Sequence, residues 1–446
     1  MKRKFSIFEP KKRPEDLSVR KSFENLDVSK LDNEIVYLQA NAGGGKTHSV
    51  INFLKKHPEW DILCLSHTRA ATQEMSKRLR NNNGKVTFST FDAMAKRNMK
   101  YLVQGLRICP QHITSLTYFH TLMKDFHRHK CELLEYLRMK RPMENFYMSR
   151  RLIAEEYCGK SYDIVIVDEA QDLDKNAIKF LTKHMEGNKA KIFVGDPKQA
   201  IYQDYSIFKN PTNMSFKFTH TFRYDGELID FINECSPEKH TSFKTSNTVY
   251  RKEDFKTFSK RYDTFHILVS KWSDISDFDL TNVVVDKDGQ KNIEKYRKKH
   301  REYLQVQNQY NRSAKMSEEE YFKSVNKLYL LDYSVERYNN VTFGNKTKKT
   351  KRFLTTIHRA KGLEFDNVFL SKGCIPLHTD YGSVELRENL YYVALTRAKR
   401  NVSCSELYYP YEFTKLICKM NPHEIGIHID KIPRKYRTLV QLIKNV

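Results

Sequence analysis

Ten consecutive residues constrain this chain more than any others: Gln39-Ala40-Asn41-Ala42-Gly43-Gly44-Gly45-Lys46-Thr47-His48. An apolar run, Ile35-Val36-Tyr37-Leu38, leads into them, and a helix-like run, Ser49-Val50-Ile51-Asn52-Phe53-Leu54, follows. Strand, glycine-rich turn and helix start is the order a phosphate-binding loop requires. Backbone N–H groups of such a turn point inward and cradle the β- and γ-phosphates of a nucleotide. Gly43, Gly44 and Gly45 permit positive φ and let the backbone approach oxygen atoms with no Cβ in the way. Lys46 carries one positive charge to the bridging phosphates, and Thr47 offers a hydroxyl to Mg²⁺. Ala40 stands where the common form GxxxxGK[ST] has its first glycine. The competing reading is a glycine-rich turn that binds nothing, and it is weighed by what lies downstream.

Two acids supply that weight. Tyr162-Asp163-Ile164-Val165-Ile166-Val167 is an apolar strand ending in Asp168-Glu169. At the C-terminal edge of a parallel sheet such a pair lies where nucleotide sites form. Asp168 can hold Mg²⁺, and Glu169 can orient and deprotonate an attacking water. Lys191–Gly195 is a further strand, running into Asp196-Pro197-Lys198-Gln199. The Gln199 amide can both donate to a phosphate and accept from water, against the plain reading of an Asp-Pro turn. In Asn389–Lys399, which reads as helix, Arg397 on a core-facing side needs a partner, and a γ-phosphate would be one.

The order of elements predicts an α/β fold, two domains with parallel β-sheets flanked by helices, each carrying a mostly helical insertion. Residues 1–33 read as a flexible basic lead-in ending in a short helix. Residues 34–99 and 158–206 form the first domain, interrupted by a helical insertion at 100–157. Residues 207–290 and 350–446 form the second, interrupted by a reduced helical insertion at 291–349. Ser317-Glu318-Glu319-Glu320 reads as a capping box there. His120, His127, His129 and Cys131 lie close in sequence, but their spacing matches no zinc rule and a basic solvated helix surface is the better reading. Residues 344–352, with five Lys and Arg, read as a solvated linker or a nucleic-acid contact.

Composition narrows the partner. Among 446 residues, Lys and Arg number 78 against 54 Asp and Glu, a formal net charge of +24. Such an excess points to a polyanion, usually nucleic acid. Eight cysteines without a CxxC pair fit reduced thiols in an intracellular compartment. No apolar run approaches a membrane span and no signal-peptide core begins the chain, so no membrane partner is expected. Residues 2–13 are basic enough for a nuclear address, with a disordered basic tail as the other reading. The expected location is the nucleus or cytoplasm of a host cell.

Eight segments fall in an order that resembles the UvrD/Rep-like branch of superfamily 1 DNA helicases: ANAGGGKT (40–47), SHTRAATQEM (66–75), STFDAMA (89–95), IVIVDEAQD (164–172), VGDPKQAIY (194–202), TFR (221–223), TTIHRAKGLEF (355–365) and LYYVALTRA (390–398). The resemblance implies two RecA-like domains with ATP and Mg²⁺ held between them. Lys46, Thr47, Asp168, Glu169 and Gln199 would come from the first domain, and Arg223 and Arg397 would reach over from the second as arginine fingers. Ala40 to His48 would hold phosphates, Phe222 would stack on adenine, and Gly362 and Glu364 would approach the ribose. Thr68, Thr90, Phe91, Tyr202 and His358 occupy positions that contact single-stranded DNA in the family. His67 stands where the family has an aromatic, and Tyr205 lies one residue beyond another such position. The implied activity is ATP-dependent translocation on single-stranded DNA, 3′→5′, coupled to unwinding at single-strand/duplex junctions in replication, repair or recombination and alongside their proteins. The reduced second insertion favours translocation over unwinding. An RNA-directed helicase, a DNA-binding scaffold without turnover and a nuclease subunit remain as rivals. The compact, Lys-, Asn-, Tyr- and Phe-rich build suggests a large DNA virus or a mobile element.

Overall fold

Ile62–Ser66, Ile164–Asp168 and Ala190–Gly195 are apolar without alternation, and each is a strand buried on both faces, the pattern of a parallel sheet covered by helices. The structure, a computed structural model, describes residues 14–66, 68–79, 85–104, 150–202 apart from 152, 156, 158 and 186–188, 207–208, 214–235, 239–277 apart from 245, 283–312, 351–376 and 382–406, with Arg128, Ser317 and Glu320. The chain divides into two units, Met1–Arg223 with His240–Thr245, and Tyr224–Lys239 with Ser246–Val446.

The first unit is built on six parallel strands: β1 (Glu34–Ala40), β2 (Ile62–Ser66), β3 (Val86–Thr90), β4 (Ile164–Asp168), β5 (Ala190–Gly195) and β6 (Met214–Phe218). Their order is β3-β2-β4-β5-β1-β6. Successive strand residues point to opposite faces, and the two cores follow that period. Val36, Leu38, Ile62, Cys64, Ile164, Ile166, Ile192 and Val194 pack on one face. Tyr37, Leu63, Leu65, Val165, Val167 and Phe193 pack on the other. Helix α1 (Pro14–Glu24) brings Phe23, and α2 (Lys46–Lys56) brings Val50, Ile51, Phe53 and Leu54, to the first face. Also on that face, α3 (Arg69–Arg78) adds Met75. Helices α4 (Phe91–Gln104) and α5 (Lys175–His184) cover the second. Thr68 and Asp174 cap α3 and α5 by accepting from Ala71 N–H and Ala177 N–H.

Two expectations change here. The helix in the lead-in is not a loose end: α1 packs on α2 and β6, with Phe23 fully buried and stacked on Phe53 at 5.6 Å between ring centroids. Its polar composition hid a single apolar stripe. The domain boundary read at 207 falls too early, because β6 pairs in register with β1, Val36 opposite Met214 through Ala40 opposite Phe218. Alternating exposure along β6 marks an edge strand, and a short edge strand gives a weak sequence signal.

The second unit has its own six parallel strands: β9 (Val249–Lys252), β10 (Thr264–Val269), β11 (Val283–Val285), β12 (Lys351–Thr356), β13 (Phe365–Leu370) and β14 (Ala398–Cys404), in the order β11-β12-β10-β13-β14-β9. A two-stranded ladder in the first unit, β7 (His220–Thr221) with β8 (Thr241–Ser242), completes the strands among the described residues. Helices α6 (Glu227–Cys235), α7 (Phe255–Arg261), α8 (Lys287–Arg312), α9 (Ile357–Ala360) and α10 (Val384–Leu395) belong to the second unit. The capping box is present: Glu320 N–H donates to Ser317 Oγ, and Ser317 N–H donates to Glu320 Oε2. Residues 1–13, most of the two insertions with the histidines near 120–131, 344–350, and 407–446 lie outside the described residues. Among the described residues no helix is long and apolar enough to cross a membrane.

Candidate nucleotide site

β1 ends at Ala40, and the loop that follows is tied to the strand beside it. Asn41 N–H donates to the Phe218 carbonyl at 3.3 Å, and Asn41 Nδ2 to Thr219 O at 3.0 Å. Gly44 N–H closes the turn on Asn41 O at 2.8 Å. Gly43 and Gly45 have φ of 72° and 84°, values that glycine adopts at no steric cost. Gly45 caps α2, so Lys46 and Thr47 open that helix. The three carbonyls of the loop are each held from outside. Ala42 O accepts from Thr221 Oγ1 at 2.7 Å, Gly43 O from Phe222 N–H at 2.9 Å, and Gly44 O from Arg20 Nη2 at 2.7 Å.

That belt has a geometric consequence. The described peptides are all trans, and a trans peptide aims its N–H opposite its C=O. Pinning the carbonyls of Ala42 and Gly44 outward turns the N–H groups of Gly43 and Gly45 the other way. They join the unbonded N–H groups at the start of α2, where the helix dipole is positive. Lys46 Nζ rests on Ala40 O at 3.1 Å. The result is a cluster of donors and one ammonium, suited to a polyphosphate.

The acids close the site. Asp168 ends β4 in register with Val194 of β5, and Gln39 of β1 lies opposite Gly195. Asp168 is only 4% exposed. Burial, then the neighbouring Glu169 carboxylate, push its carboxyl up to about 7, against the opposing charge of Lys46. Its Oδ1 is buried with no hydrogen-bond partner among the described residues. Such an oxygen is costly unless a cation takes it. The donor set, Asp168 with the Thr47 hydroxyl at the helix start, fits a hard divalent cation such as Mg²⁺. Glu169 adopts a left-handed φ of 57° and accepts from Gln171 Nε2. Gln171 Oε1 in turn accepts from Asp196 N–H at 3.2 Å, and Gln199 Nε2 donates to Asp196 Oδ2 at 2.8 Å. Glu169 and Gln199 thus hang on one network joining the ends of β4 and β5.

Beside the loop lies an aromatic surface. Phe222 is 45% exposed and stacks on Phe243 at 5.2 Å and 21°. Arg20 lies 5.1 Å from the Phe222 centroid and 5.2 Å from that of Phe218. Its Nη2 is 2.8 Å from Nε2 of the buried His220. Burial lowers the Arg20 guanidinium from its ordinary value, with Glu24 opposing. Arg20, Thr221 and the Gln171–Asp196 link were missed in the sequence. Arg20 lies in none of the quoted segments; Thr221, Gln171 and Asp196 lie within them, but only the fold shows what they hold.

Phe222 and Arg223 were expected from the second domain. They belong to the first unit, and a Cβ built on Gly43 would meet Arg223 Cβ at 2.6 Å and Thr221 Oγ1 at 2.8 Å. The second unit holds Arg397, 1% exposed. Its guanidinium donates to Val393 O at 2.9 Å, Leu363 O at 3.2 Å and Thr396 Oγ1 at 3.0 Å. Arg397, Gly362 and Glu364 gather at the N-terminal edge of the second sheet, where Phe365 N–H donates to Arg397 O. Gly362 has φ of 82°, and Glu364 is exposed. His358 sits at the opposite edge, in α9 after β12.

Among the expected DNA contacts, Tyr202 is 54% exposed. Thr68 is spent on its cap, and Thr90 Oγ1 accepts from Ala93 N–H at 3.1 Å. Phe91 corrects the reading. Its ring is buried in the core at 1% exposure, so it offers no face to a base; an apolar residue opening an amphipathic helix points inward. His67 and Tyr205 lie outside the described residues.

A family model described as the UvrD-like helicase C-terminal domain matches residues 59–407. Gabija protein GajB from Bacillus cereus (strain VD045) is 22% identical over 247 residues, which cover 49% of this chain and 50% of GajB. The chain thus matches about half the length of that curated relative. Two solved helicases are more distant. The PRRSV helicase is 13% identical with a TM-score of 0.36 and covers 90% of this chain and 56% of its own. Arterivirus nonstructural protein 10 (helicase) is 12% identical with a TM-score of 0.34 and covers 88% and 62%. The family match takes in both acids, Gln199 and Arg397 and extends over most of the chain, and the chain belongs to the UvrD-like superfamily 1 helicases.

Proposed function

We propose that this helicase is an ATP-driven motor on single-stranded DNA, moving 3′→5′ and opening duplex ahead of it. The observation that carries the nucleotide part is the loop whose carbonyls are pinned outward, set beside a buried carboxylate, Asp168, whose Oδ1 has no hydrogen-bond partner among the described residues. The cradle N–H groups and Lys46 bind the β- and γ-phosphates and take up charge as it shifts in the transition state. Bound Mg²⁺, held by Asp168 and Thr47, would supply further neutralisation of those oxygens. Glu169 accepts the proton of the attacking water, oriented by Gln171. The water oxygen bonds to the γ-phosphorus as the bond to the β–γ bridging oxygen breaks, releasing ADP and phosphate. Gln199, fixed by Asp196, reports the presence of the γ-phosphate.

Arg223 lies beside the loop, its Cβ 2.6 Å from a Cβ built on Gly43, and Arg397 is the arginine that the second unit would contribute during turnover. To do so Arg397 gives up at least one of three hydrogen bonds, each about 1 kcal/mol net, and a γ-phosphate repays that loss because the new bond is charge-assisted. Basic side chains grip the DNA backbone and exposed rings such as Tyr202 meet bases. Alternation between nucleotide-bound and nucleotide-free states would convert hydrolysis into steps. The net charge of +24 supports the polyanionic track.

The test is steady-state ATP hydrolysis by wild type and Lys46→Ala. Lys46→Ala is expected to lose hydrolysis by at least about a hundredfold, the scale of removing a preorganised electrostatic group, with its thermal transition kept. Undiminished hydrolysis in the variant would reject the site.

A further inference from the structure

We infer that Arg20, from the N-terminal helix, is a nucleotide-positioning residue: it holds the Gly44 carbonyl outward so that the Gly45 N–H faces the phosphates. This deepens the proposed ATP reading and rests on it. Three observations converge. Arg20 Nη2 donates to Gly44 O at 2.7 Å, and this is the one carbonyl in the belt held by a charged donor. Its guanidinium lies against the Gly44–Gly45 stretch, with Nη2 2.6 Å from a Cβ built on Gly45. Its Nε is buried without a hydrogen-bond partner among the described residues, so a cation is kept half-buried beside the loop at a cost.

The contacts suit positioning rather than packing alone. A guanidinium carries five donors in a fixed plane. One edge reaches both Gly44 O and His220 Nε2, while the plane lies near the rings of Phe218 and Phe222. Phosphate loop, aromatic surface and N-terminal helix are thereby joined at one side chain. Helix α1 is then part of the nucleotide site, with the charge of Arg20 standing behind the cradle.

The experiment uses the full chain with a fluorescent ATP analogue and Mg²⁺, measuring Kd, KM, kcat and thermal transition for wild type, Arg20→Met and Arg20→Lys. Methionine keeps length and ring contact but has no donor. Arg20→Met is expected to weaken binding about tenfold, the scale of one charge-assisted bond, with the loss in KM rather than kcat. Arg20→Lys, which can still donate to Gly44 O, recovers part of it. Wild-type affinity in Arg20→Met, a loss confined to kcat, or losses that merely track lowered transitions in both variants would overturn the role. If wild type itself binds no nucleotide, the ATP reading fails, and this one with it.

Discussion

Gly43 shows how closely single residues define the site. Its φ is 72°, and a side chain there would meet Arg223 Cβ at 2.6 Å and Thr221 Oγ1 at 2.8 Å. The Arg223 Cβ is fixed to its backbone and cannot swing aside. Gly43→Ala must therefore push the 221–223 segment off the loop or leave the left-handed region, and either disturbs the Thr221–Ala42 and Phe222–Gly43 bonds. The expected result is nucleotide affinity lowered by about tenfold or more, since strain of this kind is about 1–3 kcal/mol, read by titration with ATP. Wild-type affinity would show that the belt does not shape the cradle. Lys46, Thr47, Asp168 and Glu169 were legible because strand-loop-helix and strand-acid patterns are local. Arg20 and Thr221 were not, because they act on the loop from 20 or more positions away and through backbone carbonyls.

At the scale of elements, the parallel strands were legible from unbroken apolar runs, as in Val165-Ile166-Val167. Edge strand β6 and the core contacts of the lead-in helix α1 were not. β6 alternates between partly buried and exposed residues, and α1 is mostly polar, with its apolar side chains at Val19 and Phe23 against the core. Yet α1 is fastened in two ways, by Phe23 between Phe53 and Phe216 and by Arg20 on the loop. Phe23→Ala is expected to destabilise the first unit by about 3–5 kcal/mol, the range for emptying a buried phenylalanine site. Denaturant unfolding measures it. A change below about 1 kcal/mol would mean α1 lies on the unit without stabilising it. Phe91 teaches the reverse lesson: a motif position proposed to meet DNA is filled by a side chain that the core claims.

For the whole molecule, the sequence motifs locate nucleotide chemistry more firmly than the track. Membership of the UvrD-like helicases follows from a match over residues 59–407, while the curated relative covers half of the chain at 22% identity. The polymer is argued from charge: 78 Lys and Arg against 54 Asp and Glu favour a phosphate backbone of either kind. Phosphate grip makes binding fall steeply with salt, and base stacking on exposed rings such as Tyr202 favours unpaired strands. The most direct measurement is the ATP hydrolysis rate of the full chain without polymer, and with single-stranded DNA, duplex DNA or single-stranded RNA of equal length. Strong stimulation by single-stranded DNA, absent in Lys46→Ala, is the predicted result. Hydrolysis indifferent to single-stranded DNA, or stimulated only by RNA, would contradict a DNA motor.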